Sequence, residues 1–159
     1  MIIRTVLPED LIQLRKIAKT AVHASVEAPS ANKQEIATGI YDNLVIAISS
    51  PQSGAFLVSE NKDHVQGFIL IKNYWNLSDL FVSPSHHGEG TGQALWTAAL
   101  KICETNSERN SIRVNCSLNA VTFYESLEFY KIEREKKHPD WIVPLERKIK
   151  GRSQPYHSE

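Results

Sequence analysis

The sequence predicts an α+β domain built around a mostly antiparallel sheet. Three observations carry that expectation. Strand-like apolar runs at 55–60, 64–72 and about 75–82 follow one another across turns too short for a crossover, so they pair as hairpins. Stretches with apolar residues at helical spacing stand before and after them. The 159 residues show no internal repeat and no linker-like stretch, which fits one domain over 1–150 followed by a polar tail over 151–159.

Residues 2–6 (IIRTV) read as a first strand. Pro8 in a first helical turn, followed by acidic Glu9 and Asp10, opens a helix running to about Val26. Leu11, Leu14, Ala18, Ala21 and Val22 supply its buried stripe. A break at 27–30 precedes a second helix to about Ile48, with Ser30 or Asn32 as its cap and Gly39 weakening its middle. Asn61, Lys62 and Asp63 turn the first hairpin. After the third strand of the run, a glycine-bearing segment over 82–92 leads to a helix ending near Glu104. That helix is apolar on two sides, through Leu95, Ala98 and Ile102 on one and Trp96, Ala99 and Cys103 on the other. A strand at 112–116, a short helix at 119–127 and strands at about 129–136 and 140–148 complete the domain.

Composition removes several partner classes. The 18 Lys+Arg are matched by 18 Asp+Glu, so no positive excess exists for nucleic acid or an anionic membrane, and neither is expected. No window approaches about 18 consecutive apolar residues. The start MIIRTVLPED has no apolar export-signal core before its acidic residues. Cys103 and Cys116 fit no ligand spacing and read as reduced thiols of a cytoplasmic protein. His86 and His87 lack an acidic or cysteine partner at ligand spacing, so no metal is expected.

The segment 80–95 carries the chemistry. A strand ends at Val82, the chain turns at Pro84, and Gly88, Gly90 and Gly92 alternate up to a helix start. Alternating glycines let successive N–H groups point into one concavity at a helix N-terminus, an arrangement that suits a phosphate. The same glycines would also serve a tight strand-to-helix turn. No Gly-Lys-Ser/Thr ending follows, which removes a P-loop, and G-x-G-x-G after hairpin-linked strands disfavours a dinucleotide fold.

The residues Val82-x-Pro84-x-x-His87-Gly88-x-Gly90-x-Gly92-x-Ala94-Leu95 resemble the acetyl-CoA-binding motif of the GNAT superfamily of N-acetyltransferases, Arg/Gln-x-x-Gly-x-Gly/Ala after a strand ending Val-x-Pro. A second stretch, Ser117-Leu118-Asn119-Ala120-Val121-Thr122-Phe123-Tyr124-Glu125-Ser126-Leu127-Glu128-Phe129, resembles the family's A-x-x-F-Y-x-x-x-G-F segment. The order of elements across about 1–148 agrees too. The resemblance implies a GNAT-like acyl-CoA N-acyltransferase fold, a mixed sheet with helices on both faces. Three positions depart from the pattern: His87 stands where Arg or Gln is usual, Glu89 puts an anion in the loop, and Glu128 replaces a glycine.

The resemblance also implies roles. Acetyl-CoA, as co-substrate, would be held by Leu80, Phe81 and Val82, by His87, Gly88, Glu89, Gly90, Thr91 and Gly92, and by Asn119 and Tyr124. Tyr124 would protonate the leaving CoA thiolate, although its place on a stripe with Ala120, Phe123 and Leu127 also suits core packing. Asn119 would contact the cofactor or cap the short helix. Asp79 would face the cleft as base or substrate anchor, or face a neighbouring strand as an ordinary polar residue. Tyr74 and Trp75 would line the acceptor pocket or pack at an edge, and His23 would lie near the acceptor or on the surface. The function implied is transfer of acetyl from acetyl-CoA to a primary amine of a small molecule or peptide by direct attack. The alternative is a non-catalytic acyl-CoA-binding or sensing module, and a homodimer is compatible with either.

Overall fold

In a computed structural model, which describes residues 1–25, 28–133 and 137–151, the stretch HVQGFILIK, apolar from Phe68 to Ile71, lies in the interior of the sheet. It forms β3 (His64–Lys72), paired antiparallel on one side with β2 (Gly54–Asn61) and on the other with β4 (Asn76–Val82). A strand buried on both faces reads as a near-unbroken apolar run, and β3 alternates between two cores. Phe68 and Leu70 join Leu14, Val22, Leu44 and Phe56 under α1 (Leu11–Ser25) and α2 (Ser30–Ser49). Ile69 and Ile71 join Leu95, Trp96, Ala99 and Ile112 under α3 (Thr91–Asn106).

The outer strands are β1 (Ile2–Thr5), β5 (Ser111–Ser117), β6 (Tyr130–Lys131) and β7 (Ile142–Lys148); a short α4 (Val121–Ser126) follows β5. Spatial order is β1-β2-β3-β4-β5-β7-β6, and among the described residues β4 with β5 is the only parallel pair. The result is a mixed, mostly antiparallel sheet with helices on both faces, as the sequence led us to expect. Among the described residues, no helix is long and apolar enough to cross a membrane.

Several boundaries differ from the expectation, each for a local reason. Pro8, Glu9 and Asp10 form a 3₁₀ turn ahead of α1. Within it the Asp10 carboxylate is buried, accepting the Leu7 N–H at 2.7 Å and a two-pronged contact from the Arg4 guanidinium at 2.8 Å. Arg4 also reaches Glu60, so one guanidinium ties β1, the helix entry and β2. Val26, the expected end of the first helix, is outside the described residues. Neither Ser30 nor Asn32 caps α2; Pro29 holds the N-cap position with no side-chain bond. Trp75 belongs to the turn before β4, and α3 continues to Asn106. The expected strand at 129–136 is confined to Tyr130–Lys131, with residues 134–136 outside the description. Residues 152–159 of the tail are likewise outside it.

Candidate active site

The site arises where two strands part. β4 and β5 pair only at Asn76 with Arg113 and Leu77 with Val114. On its other edge β4 carries a bulge: Leu70 faces Asp79 and Ile71 faces Leu77, leaving Ser78 as an extra residue. A bulge bends and twists the strand that carries it. Beyond it β4 has no β5 partner, and a cleft of about 860 Å³ opens between the two strands, the 82–92 loop and α4.

The loop provides one wall. Gly88 and Gly90 have φ of 82° and 80°, left-handed values that glycine adopts without strain, and Gly90 is the N-cap of α3. The first N–H groups of α3 have no acceptor within the helix, as at any helix start. Thr91 lies among them, 2% exposed, and its Oγ1 has no hydrogen-bond partner among the described residues. Gly88, Gly90, Thr91 and Gly92 all line the cleft. Gly92 has a second duty: a Cβ there would come within 3.3 Å of the Phe123 ring, so it lets α3 approach α4 closely. This donor set, with an orphaned hydroxyl at a helix N-terminus, fits the pyrophosphate of a nucleotide-bearing ligand.

Two loop residues behave differently from their neighbours. Glu89 is exposed, bonds His86 Nδ1 through Oε2 at 3.0 Å, and does not line the cleft. Its charge is thereby kept off the loop amides. His87 lines the cleft, and its Nε2 bonds the Val82 carbonyl at 2.9 Å, tying the loop back to the end of β4.

The other walls bring together residues far apart in sequence. Leu80, Phe81 and Val82 of β4, Asn119, and Tyr124 of α4 all line the cleft. Asn119 does not cap the helix; Ala120 is the N-cap of α4, and Asn119 Oδ1 accepts the Ser117 hydroxyl at 2.7 Å. Tyr124 is buried, its ring edge-on to Phe123 and Phe129, and its hydroxyl has no hydrogen bond to another described residue. Burial, then the nearby Cys116 and Asp79 charges, push its pKa above the ordinary phenol value, so it stays protonated. Cys116 also lines the cleft; burial raises its thiol to about 11, which keeps it from serving as a thiolate nucleophile.

Asp79 lies at the bulge with 4% exposure. Its Oδ2 accepts the Ser78 hydroxyl at 2.7 Å and Asn43 Nδ2 at 2.9 Å, and Lys72 Nζ donates to Asn43 Oδ1 at 2.8 Å. Burial raises the carboxyl to about 6; the two hydrogen bonds and the Lys72 charge hold it from going higher. Asn43, Ser78, Lys72 and Cys116 were missed by sequence reasoning. Asn43 did leave a signal, since it falls on the apolar stripe of α2 between Ile40 and Ala47, where a polar residue needs a partner.

Three expected substrate residues are not at this cleft. Tyr74 and Trp75 precede β4 and stand at its opposite end, in a smaller depression with Arg109. There the Tyr74 hydroxyl donates to the Gln52 carbonyl at 2.7 Å, and Arg109 stacks 3.7 Å over Trp75. Both fill a structural edge, the alternative their position allowed. His23 is exposed near the end of α1 and does not line the cleft; its carbonyl accepts Lys33 Nζ. Among the described residues no group of three or more His, Cys, Asp or Glu is placed to hold a metal.

Comparison with known proteins bears on this geometry. Residues 27–145 match a family model described as an acetyltransferase (GNAT) domain. No curated protein matched the sequence significantly. Among solved structures, a GCN5-related N-acetyltransferase from Rhodopseudomonas palustris superposes with a TM-score of 0.75 at 18% identity, covering 93% of this chain and 95% of its own. The PaiA N-acetyltransferase of Thermoplasma acidophilum, in complex with coenzyme A, gives 0.71 at 20% identity over 92% and 98%. A GNAT phosphinothricin acetyltransferase from Sinorhizobium meliloti, in complex with acetyl-CoA, gives 0.66 at 15% identity over 99% and 93%. At these identities the likeness is one of fold.

Proposed function

The chain belongs to the acetyltransferase (GNAT) family, whose acyl donor is acetyl-CoA, and on that premise we propose that it acetylates a primary amine by direct attack. When bound in the cleft, acetyl-CoA supplies an acetyl group activated as a thioester. Loop residues 87–92 and the first turn of α3, with the Thr91 hydroxyl, would hold the pyrophosphate through N–H and O–H donors. The edge of β4 at 80–82, unpaired with β5, would offer backbone groups to the extended part of the cofactor, and an N–H there would stabilise the charge that develops on the carbonyl oxygen.

An amine of pKa near 10 arrives as ammonium and must lose a proton before it attacks. The Asp79 carboxylate, ionised above about pH 6, accepts that proton. Tyr124 Oη donates toward the leaving sulfur. Its burial keeps the donor in the protonated form at any working pH. The neutral Cys116 thiol favours direct attack over an acyl-cysteine route. Cys103 and Cys116, both buried and free, suit a reducing cytoplasm.

The observation that carries this reading is the meeting of a buried carboxylate and a buried phenol beside a glycine-rich helix start. Free-thiol release from acetyl-CoA with a panel of amines tests it, together with the melting temperature in CoA. Thermal stabilisation with thiol release on at least one amine is expected. Stabilisation without release on any amine would make the chain a binding module instead.

A further inference from the structure

We propose that the acceptor is a monoamine on an apolar body, whose ammonium docks on Asp79 Oδ1. This rests on the transferase reading above and adds the class of acceptor. Asp79 is the only acidic residue among the described residues that line the cleft. Both of its protein hydrogen bonds, from Ser78 and Asn43, fall on Oδ2, and Oδ1 has none among the described residues. No ion pair to Asp79 exists among those residues either. The cation beside it, Lys72, places its Nζ on Asn43 Oδ1 instead. A buried carboxylate therefore keeps its charge with one oxygen open, and burying such a charge unpaired is costly. A cationic ligand that meets Oδ1 relieves that cost.

The wall on the Asn43 side decides what else the ligand carries. α1 contributes Ala21 and Ala24, α2 contributes Ile36 and Ile40, and Phe81 of β4 packs on the same face. The two alanines leave room, and the wall is apolar among the described residues. A second ammonium, as in a polyamine, finds no second carboxylate among the described residues of that wall. The carboxylate of an amino acid meets an apolar wall and the like charge of Asp79. An alkyl or aryl substituent meets surface that gains from being covered.

The experiment compares kcat/KM for acetylation of phenethylamine, Leu-Phe amide (its C-terminal carboxylate capped), spermidine and glutamate by the full chain. The first two carry the same chemistry from different sources, and the faster one names the source. At least one of them is expected to exceed spermidine and glutamate by tenfold or more, on the order of the discrimination an apolar pocket provides. Ile36→Glu, at a half-buried position, is expected to lower the rate on the preferred apolar amine about tenfold, with the melting temperature in CoA confirming that it folds. Spermidine or glutamate as preferred acceptor, or an Ile36→Glu variant with an unchanged preference, overturns this inference alone. No thiol release with any acceptor removes the transferase reading and this inference together.

Discussion

The base role proposed for Asp79 sets two demands in opposition: a base needs to be ionised near neutral pH, and burial disfavours ionisation. Ser78, Asn43 and Lys72 settle the carboxyl at about 6, which leaves it charged at pH 7 and still a better proton acceptor than a surface carboxylate. The rate on an amine is expected to fall as pH drops through about 6, read as an acid limb of the pH profile of kcat/KM. Stability moves the other way. The folded pKa is above the ordinary carboxylate value, so Asp79 is least costly when protonated, and its contribution is lost as pH rises from about 4 to about 6. Asp79→Asn is therefore expected to lose at least about 100-fold in kcat while raising the melting temperature at pH 7. Tyr124→Phe is expected to lower kcat by about 100-fold with stabilisation by CoA unchanged. Glu128 sits at φ 72°, where glycine costs less, and pays part of that strain back through Arg147 at 2.7 Å. Glu128→Gly should relieve about 1 kcal/mol of strain against less than about 1 kcal/mol for an exposed ion pair. Thermal melts are expected to show it neutral to slightly more stable.

At the scale of elements, the site is made by three interruptions: the bulge in β4, the early parting of β4 from β5, and the left-handed entry to α3. The loop makes the clearest prediction. Gly90→Val forces a β-branched residue to φ 80° and is expected to weaken CoA binding at least tenfold by calorimetry. Gly39 lies in mid-α2 with open space around it, so Gly39→Ala should add about 0.5–1 kcal/mol of stability and leave CoA affinity alone. The loop was legible because Val82, Pro84 and three alternating glycines are local signals. The strands were legible because β2 and β3 carry the apolar runs 55–58 and 68–71 with a polar turn at 61–63 between them. The hydrogen bonds of Asn43 and Ser78 were not legible. The Asn43 bond depends on which turn of α2 crosses β4, a tertiary contact that no spacing within either element encodes, and the Ser78 bond is made at the β4 bulge. Tyr74 and Trp75 went astray for a related reason: aromatic residues next to β4 say nothing about which end of the strand opens.

For the whole molecule, the balance of 18 positive against 18 negative charges fits a cleft that holds its anion with N–H and O–H groups rather than side-chain cations. His87 is spent on the Val82 carbonyl and His86 on Glu89, so neither histidine is directed at the loop amides. The seven-stranded sheet, with α1 and α2 on one face and α3 and α4 on the other, puts the wall proposed for the acceptor and the wall proposed for the cofactor on opposite sides of the parting strands. Asp79 hydrogen-bonds to α2 on the first face, and Tyr124 packs into the core of the second. The account stands on the two being brought to one reacting centre by that split. A crystal structure with acetyl-CoA bound tests this most directly. The account predicts the pyrophosphate on the amides of 87–92 and the thioester sulfur within a hydrogen bond, or one bridging water, of Tyr124 Oη. A sulfur farther than one water from Tyr124, or a pyrophosphate seated away from the loop, would contradict it.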